Sequence, residues 1–165
     1  MLQYTLSYGI GSKDEHAVAR VLGVLKNLLD QVYFPVEHMA WAADQKIVKA
    51  QSSYFYTFGT ILWGLSSYIG IVKSLIMMSV LQRKTRGVKN VVLHEKIVGK
   101  QLELLLLACQ EAADFVLAVN YLPAGSLLWA GTLKKREIGL IGTFSSILRL
   151  LMLFRHMKNN NDIVS

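Results

Sequence analysis

A run of twenty-two residues without a charged side chain, at positions 51–72, constrains the fold of this chain more than any other feature. As a helix rising about 1.5 Å per residue, the run measures roughly 30 Å, the thickness of the hydrocarbon core of a bilayer. It begins with four aromatic rings at positions 54–58, which suit the headgroup boundary. We therefore predict a first transmembrane segment over residues 51–81, containing Tyr54, Trp63 and Val72.

A buried helix of a soluble bundle is the alternative interpretation of this run. Its glycine, serine and threonine residues make it less apolar than a leucine-rich anchor. Membrane helices, however, use small residues for close packing, because lipid supplies no hydrophobic drive to bring helices together. A buried helix of a soluble protein also usually has a polar stripe, which this run lacks. The membrane interpretation is therefore favoured.

Composition agrees with that interpretation. Hydrophobic residues make up 53% of the chain and charged residues only 18%, which excludes a disordered chain and a fibrous repeat. The single cysteine, Cys109, excludes an intramolecular disulfide and a cysteine-based zinc site. We predict an all-α, helical integral membrane protein with amphipathic helices and one to three membrane-embedded segments.

Residues 1–50 are predicted to form an amphipathic helical region. Ser12 and Glu15 have the spacing of a capping box, and apolar residues then recur at helical spacing over 14–34. Pro35 is expected to end this helix near Phe34 and to start a second helix. We expect the first helix to pack against a neighbouring helix, and contact with the membrane surface is the alternative.

The net charge of +7 is concentrated after the uncharged run, where residues 73–102 hold seven basic side chains and one acidic one. Such a cluster attracts anionic lipid headgroups at about 1 kcal/mol per basic residue, or forms part of a targeting signal read by an import receptor. We assign this lipid or targeting contact to Arg83, Lys84 and Arg86. Nucleic-acid binding is disfavoured, because no nucleic-acid-binding motif accompanies the charge.

Residues 82–114 combine this basic loop with an amphipathic helix, which we predict over 91–118. Polar residues fall on one narrow stripe of the helix, and the remaining arc is apolar. We expect the helix to lie half sunk in the interface or docked among other helices, with only this polar seam exposed. The stripe consists of Lys96, Lys100, Glu103, Gln110, Glu111 and Asp114.

Residues 115–157 are predicted to supply the C-terminal membrane-embedded helices. Pro123 and Gly125 divide the uncharged stretch 115–133 into a helix, a turn and a short segment around Trp129. The final residues, 158–165, are predicted to form a disordered polar tail.

A last apolar stretch covers positions 138–154, from Ile138 to Phe154, and contains Arg149 as its single charge. That arginine lies near the end of the stretch, where its side chain is able to reach the interface. Gly139 with Thr143, and Gly142 with Ser146, form two overlapping pairs of small residues. We predict that these pairs provide a face for association with another helix or another subunit.

Catalytic motifs are not evident in the sequence. Residues 9–13, GIGSK, lack the spacing between glycines that a phosphate-binding loop requires. Glu37 and His38 are adjacent and therefore point about 100° apart on a helix, which disfavours a shared metal or acid–base site with Asp44. We expect hydrogen bonding at an interface for these residues, and we predict neither an enzyme nor a cofactor.

Residues 33–44 read YFPVEHMAWAAD, and this segment closely resembles a segment of the gamma-type peroxin-11 proteins. The same residues occur there in the same order, namely Pro35, the pair Glu37 and His38, Trp41, and Ala-Ala-Asp ending at Asp44. Residues 25–31, the run around position 63, LWAG at 128–131 and GLIGTFSSIL at 139–148 are also similar to that family. Together these blocks cover most of the chain.

This resemblance implies a multi-pass integral protein of the peroxisomal membrane that promotes peroxisome elongation, proliferation or fission by membrane insertion and association. The implied partners are peroxisomal membrane lipids, the same protein and other peroxin-11 proteins, an adaptor of the fission machinery and the import receptor for peroxisomal membrane proteins. The family is expected to place both ends in the cytosol. Its members usually begin with a further region bearing a membrane-active amphipathic helix, and this chain is expected to start after that region.

Two other functions remain as alternatives. The small-residue faces and Arg149 are compatible with an oligomeric small-solute channel or carrier subunit of an organelle membrane. A soluble helical adaptor is the third hypothesis, and it requires the helix over 51–72 to be buried in protein.

Overall fold

The computed structural model describes residues 16–85 and 91–164. Over these ranges it contains four α-helices and no strand, so the predicted all-α class is confirmed there. The helices are α1 (Ala17–Asp44), α2 (Ser52–Thr85), α3 (Val91–Tyr121) and α4 (Lys135–Val164). Ser12 and Glu15 of the predicted capping box, and Arg86 of the basic cluster, lie outside the described residues.

The region before the uncharged run forms one helix, whereas two were predicted on either side of Pro35. A proline inside a helix costs about 3 kcal/mol, because it removes one backbone hydrogen bond and crowds the preceding turn. Pro35 lies inside α1, and α2 contacts α1 on both sides of this proline. Ser66 Oγ donates to Asp30 Oδ1 at 2.5 Å, and Tyr56 Oη donates to Asp44 Oδ2 at 3.0 Å. These contacts hold both halves of α1 on α2, so the predicted break at Phe34 is wrong.

The four helices run alternately up and down and pack mainly in chain order, α1 on α2, α2 on α3 and α3 on α4. Contacts between α2 and α3 show the antiparallel direction, because rising numbers on one helix meet falling numbers on the other. Trp63 stacks on Tyr121 with ring centroids 6.3 Å apart, and the rings of Tyr68 and Phe115 are 6.1 Å apart. The start of α1 and the end of α4 therefore lie at the same end of the molecule.

The turn after α3 directs the chain back along it as α4. Trp129 Nε1 donates to the carbonyl oxygen of Val116 at 3.0 Å, and Leu133 N donates to Asn120 Oδ1 at 3.0 Å. Gly131, with a φ of 72°, adopts a left-handed conformation that favours glycine. The predicted order of helix, turn and short segment around Trp129 is confirmed.

Small and polar residues make up most of the interior of this structure, while most of the large apolar side chains lie outside. On α1 the buried residues include Ala19, Gly23 and Asn27, whereas Val21 and Leu28 are 65% and 57% exposed. The predicted packing of α1 on a neighbouring helix is confirmed, but its small and polar face makes the contact. Its apolar face is left on the outer surface.

On α3, the polar stripe is also arranged differently from the prediction. Lys96 and Lys100 are exposed near the start of the helix, but Gln110, Glu111 and Asp114 are buried. The expectation of an exposed polar seam is therefore wrong for the second half of α3. The reason is that α1 and α4 provide charged and hydroxyl partners for that half.

Within residues 16–85 and 91–164, two helical stretches are long and apolar enough to cross a membrane, Ser52–Thr85 and Lys135–Arg155. Only 28% and 11% of their most apolar windows are buried within the protein, whereas the core helix of a soluble protein is mostly buried. Helix α4 continues to Val164, so residues 158–164 are helical and the prediction of a disordered tail is wrong there. No proline or glycine follows Gly142 to interrupt the helix.

Candidate functional site

A partly open cavity of about 580 Å³ lies in a cleft between α1 and α4, with α2 and α3 forming its floor. Carboxylates, cationic groups, hydroxyls and aromatic rings line this cleft. Such a concentration of charge between helices with apolar outer surfaces is costly and marks a candidate functional site. The lining residues are Lys26, Asp30, Tyr33, Phe34, Trp63, Ser66, Ser67, Glu111, Asp114, Leu117, Gly142, Ser145, Ser146 and Arg149.

Lys26 joins the first three helices at one side of the cleft. Its Nζ lies 3.1 Å from Glu111 Oε1, and it donates to Ser66 Oγ at 3.0 Å and to the Ser66 carbonyl oxygen at 3.2 Å. The same serine donates to Asp30. The ammonium therefore neutralises a carboxylate of α3 while its hydrogen bonds fix the register of α1 on α2.

Asp114 joins α3 to α4 on the other side of the cleft. Its Oδ1 accepts a hydrogen bond from Ser145 Oγ at 2.5 Å, and its Oδ2 lies 3.5 Å from Arg149 Nη2. Gln110 Nε2 also donates to Oδ2, at 3.3 Å. The Asp114 side chain is 11% exposed and the Arg149 side chain 71%. The carboxylate is thus fixed in place, whereas the guanidinium reaches the opening of the cleft.

A glycine on α2 makes room for the Glu111 carboxyl group. A Cβ atom added at Gly70 would lie 2.7 Å from Glu111 Cδ, closer than packed atoms approach. Burial raises the pKa of Glu111, and the nearby Lys26 ammonium lowers it in part. The ion pair therefore offsets only some of the cost of burying this carboxyl group.

Aromatic rings form the part of the cleft nearest the end of α1, where Tyr33, Phe34 and Trp63 line the cavity. Tyr33 Oη donates to Glu37 Oε1 at 2.9 Å. Burial, together with this carboxylate, raises the pKa of Tyr33 to about 12. The tyrosine therefore stays neutral at physiological pH and offers an uncharged ring to the cleft.

The predicted membrane-spanning residues all lie on the two candidate spans: Tyr54, Trp63 and Val72 on α2, and Ile138 and Phe154 on α4. Tyr54 and Phe154 are exposed, as lipid contact requires. Trp63 is half-buried and faces the cleft and Tyr121 instead.

The predicted association face lies on the surface of α4. Gly139, Thr143 and Ser146 are exposed there, while Gly142 is half-buried. A Cβ atom added at Gly142 would lie 3.8 Å from Leu117 Cδ1. The Thr143 and Ser146 hydroxyls donate to the carbonyl oxygens four residues earlier, at 2.8 and 2.9 Å. These hydroxyls are therefore satisfied within α4. The use of this face for association remains a prediction.

The motif at 33–44 occupies the last turns of α1. His38 Nδ1 lies 2.7 Å from the Phe34 carbonyl oxygen, and Asp44 and Glu37 accept hydrogen bonds from tyrosines. Trp41 is 57% exposed. The contacts of His38 and Glu37 lie within α1, and the contact of Asp44 joins α1 to α2. Within the described ranges, no group of three or more metal-binding side chains occurs.

The basic contact residues Arg83 and Lys84 are exposed in the last turn of α2. They lie at the end of the molecule where α1 begins and α4 ends. Their predicted role in lipid contact or targeting remains a prediction, and Arg86 is beyond the described part of this helix.

Three residues of the cleft were not predicted as site residues from the sequence, namely Lys26, Asp30 and Ser66. A signal for the first two was present, because Lys26 and Asp30 are four residues apart and share a helix face. The opposite face of α1 carries exposed valines and leucines. This arrangement is expected for a membrane helix whose polar side points toward the protein interior. Recognising the site would have required knowing that the apolar side of α1 is its outer side.

Comparison with known proteins gives one family. Residues 1–154 match the family model of peroxisomal biogenesis factor 11 (PEX11). The chain is 40% identical to "Peroxisomal membrane protein 11C" of Mus musculus over 155 residues, which cover 90% of this chain and 64% of that protein. It is 38% identical to the Homo sapiens protein of the same name over 161 residues, covering 91% of this chain and 65% of the relative.

The chain thus spans slightly less than two thirds of the length of these relatives. No solved structure matches it significantly. The family match covers more than nine tenths of the residues, in agreement with the resemblance of the segment at 33–44. The chain belongs to the peroxisomal biogenesis factor 11 (PEX11) family.

Proposed function

We propose that this protein is inserted in the peroxisomal membrane and promotes peroxisome elongation, proliferation or fission through insertion and association with itself and with partner proteins. The observation that carries the proposal is the outward placement of large apolar side chains on two helices long enough to span a bilayer. Membership of the PEX11 family, and the name of the two relatives, support the peroxisome as the location.

The arrangement of the helices also supports the proposed topology, with both ends in the cytosol. The start of α1 and the end of α4 lie at one end of the molecule, together with the exposed Arg83 and Lys84. This end would contact anionic headgroups and the import receptor. The proposed partners are peroxisomal membrane lipids, the same protein and other members of the family, and a fission adaptor. No catalysed reaction or cofactor is part of the proposal.

Alkaline carbonate extraction of the expressed chain, combined with counting of peroxisomes, tests this function. The protein is expected in the membrane pellet, and its expression is expected to increase peroxisome number or length. Release into the soluble fraction would contradict insertion and favour a soluble helical adaptor. Membrane retention with unchanged peroxisomes would contradict the remodelling role while leaving insertion intact.

The polar cleft supports a second candidate function, an oligomeric small-solute channel or carrier subunit. Two or more copies that face their clefts toward one another would enclose a path lined by charged groups such as Lys26 and Arg149. Liposomes containing the protein should then release small solutes faster than empty liposomes. Flux equal to that of empty liposomes would remove this function.

A further inference from the structure

We propose that the cleft between α1 and α4 binds the zwitterionic headgroup of a phospholipid. The phosphate is held by Arg149 at the opening, and the ammonium group is held by Asp30 and the aromatic rings. This inference goes beyond the proposed role in peroxisome shape and does not depend on it.

The position of the cleft favours a lipid over a soluble ligand. It lies between helices whose outer faces are apolar, with Leu28 of α1 57% exposed and Leu150 of α4 52% exposed. Both helices pack mainly on their neighbours in the chain, which leaves the cleft between them. A headgroup in the cleft can therefore keep its acyl chains along these apolar faces.

The charges that line the cleft match a headgroup that carries both a positive and a negative group. Its lining contains three carboxylates, Asp30, Glu111 and Asp114, and two cationic groups, Lys26 and Arg149. The Lys26 ammonium already forms an ion pair with Glu111 and a hydrogen bond with Ser66. A ligand bearing only negative charge would meet an excess of carboxylates, whereas an ammonium group compensates that excess.

Arg149 has the capacity to bind the phosphate. Its contact with Asp114, at 3.5 Å, is long for a charge-assisted hydrogen bond, and its side chain is 71% exposed. A guanidinium presents five N–H donors in a planar fork, which suits the two oxygens of a phosphodiester. The long contact leaves the group able to turn toward a phosphate at the opening.

The ammonium position is defined by rings as well as by charge. Tyr33, Phe34 and Trp63 line the cavity together with Asp30. Aromatic faces attract quaternary and primary ammonium groups, and the attraction is strongest where water is displaced. The cavity volume of about 580 Å³ lies within the usual range for small-molecule sites, so it has room for a headgroup.

Trp63 provides a local reporter for a binding experiment. The full chain has three tryptophans, so replacing the other two by phenylalanine, at Trp41 and Trp129, leaves Trp63 as the single emitter. The protein is held in maltoside micelles, and phosphatidylcholine carrying a nitroxide on its ammonium group is added. We expect saturable quenching of Trp63 that unlabelled phosphatidylcholine and phosphatidylethanolamine reverse.

Two variants test the assignment of the two charges. Arg149→Gln and Asp30→Asn should each weaken the apparent affinity about tenfold, because each removes one charge-assisted contact. Arg136→Gln, an exposed arginine of the same helix α4, is the matched control and should bind as the parent protein does. Far-UV circular dichroism verifies that the variants keep their helices. Unchanged affinity in both test variants, with helices intact, would overturn the proposal.

Competing ligands test the headgroup chemistry and its source. Phosphatidylglycerol, which lacks the ammonium group, and a dialkyl trimethylammonium lipid, which lacks the phosphate, should compete at least about tenfold more weakly. Equal competition by either lipid would refute a site that binds both the phosphate and the ammonium group. Free phosphocholine should compete poorly, and equal competition by this soluble ester would refute a lipid ligand. Quenching that rises without saturation would show partitioning alone and would likewise overturn the proposal.

Discussion

Replacing Lys26 by methionine should destabilise the protein strongly, because it leaves the Glu111 carboxylate buried without its counter-ion. The Lys26 ammonium lies 3.1 Å from Glu111 Oε1 and makes two further contacts with Ser66. The Glu111 side chain is only 9% exposed, so contact with water offsets little of the lost attraction to the ammonium. Removing one partner of such a pair costs about 3–5 kcal/mol, and we expect a loss of about 3 kcal/mol from the free energy of unfolding.

The double variant Lys26→Met with Glu111→Met tests whether this cost belongs to the pair. It removes both charges and retains unbranched side chains, and replacement of a whole buried ion pair by apolar groups is often close to neutral. We therefore expect the double variant to lie within about 1 kcal/mol of the parent protein. Lys49→Met, an exposed lysine outside the helices, is the control and should change stability by less than about 0.5 kcal/mol.

The measurement is a titration of the full chain in mixed micelles with sodium dodecyl sulfate, followed by far-UV circular dichroism. The fraction of helix gives the unfolding free energy of each variant at a common detergent composition. Equal losses in the single and the double variant would refute the reasoning, because the Glu111 charge would then make no difference. A single variant as stable as the parent protein would refute it as well.

Gly70→Ala should reduce the free energy of unfolding by about 1–3 kcal/mol in the same titration, because the added Cβ would lie 2.7 Å from Glu111 Cδ and would displace this carboxyl group from its contact with Lys26. Gly139→Ala, where no atom lies within 4 Å of the added Cβ, should be close to neutral. Gly142→Leu should lower the yield of cross-linked dimers by obstructing close helix approach, and an unchanged yield would show that the α4 face is not used. Replacing Arg83, Lys84 and Arg86 by serine should shift a fluorescent fusion away from peroxisomes, and normal localisation would contradict their role in targeting.

The helices themselves were predictable from the sequence, because long apolar stretches and helical periodicity depend on local residue patterns. The all-α class, the two candidate spans and the turn around Trp129 follow from such patterns. The continuity of α1 through Pro35 was not predictable, because it depends on contacts with α2 on both sides of the proline. A proline signal is local, and packing between helices outweighs it here.

The candidate site was predictable only in fragments. The polar stripe of α3 and the charge of Arg149 were visible, but periodicity shows that a helix has two faces and does not show which face is inside. In water the apolar face is buried, and that assumption led to the expectation that Glu111 and Asp114 are exposed. The structure buries both, because their partners Lys26, Ser145 and Arg149 come from helices far away in the sequence.

The outward placement of leucines and valines has a consequence for how this protein matures. The buried apolar residues are mostly alanines, with leucine and valine contributing a few side chains, so the interior of the folded chain withdraws little hydrocarbon from water. In aqueous solution the gain from helix packing would therefore not offset the conformational entropy of ordering the chain. A bilayer that covers this apolar exterior would supply the missing stabilisation, so insertion into a membrane and assembly of the helices become coupled events.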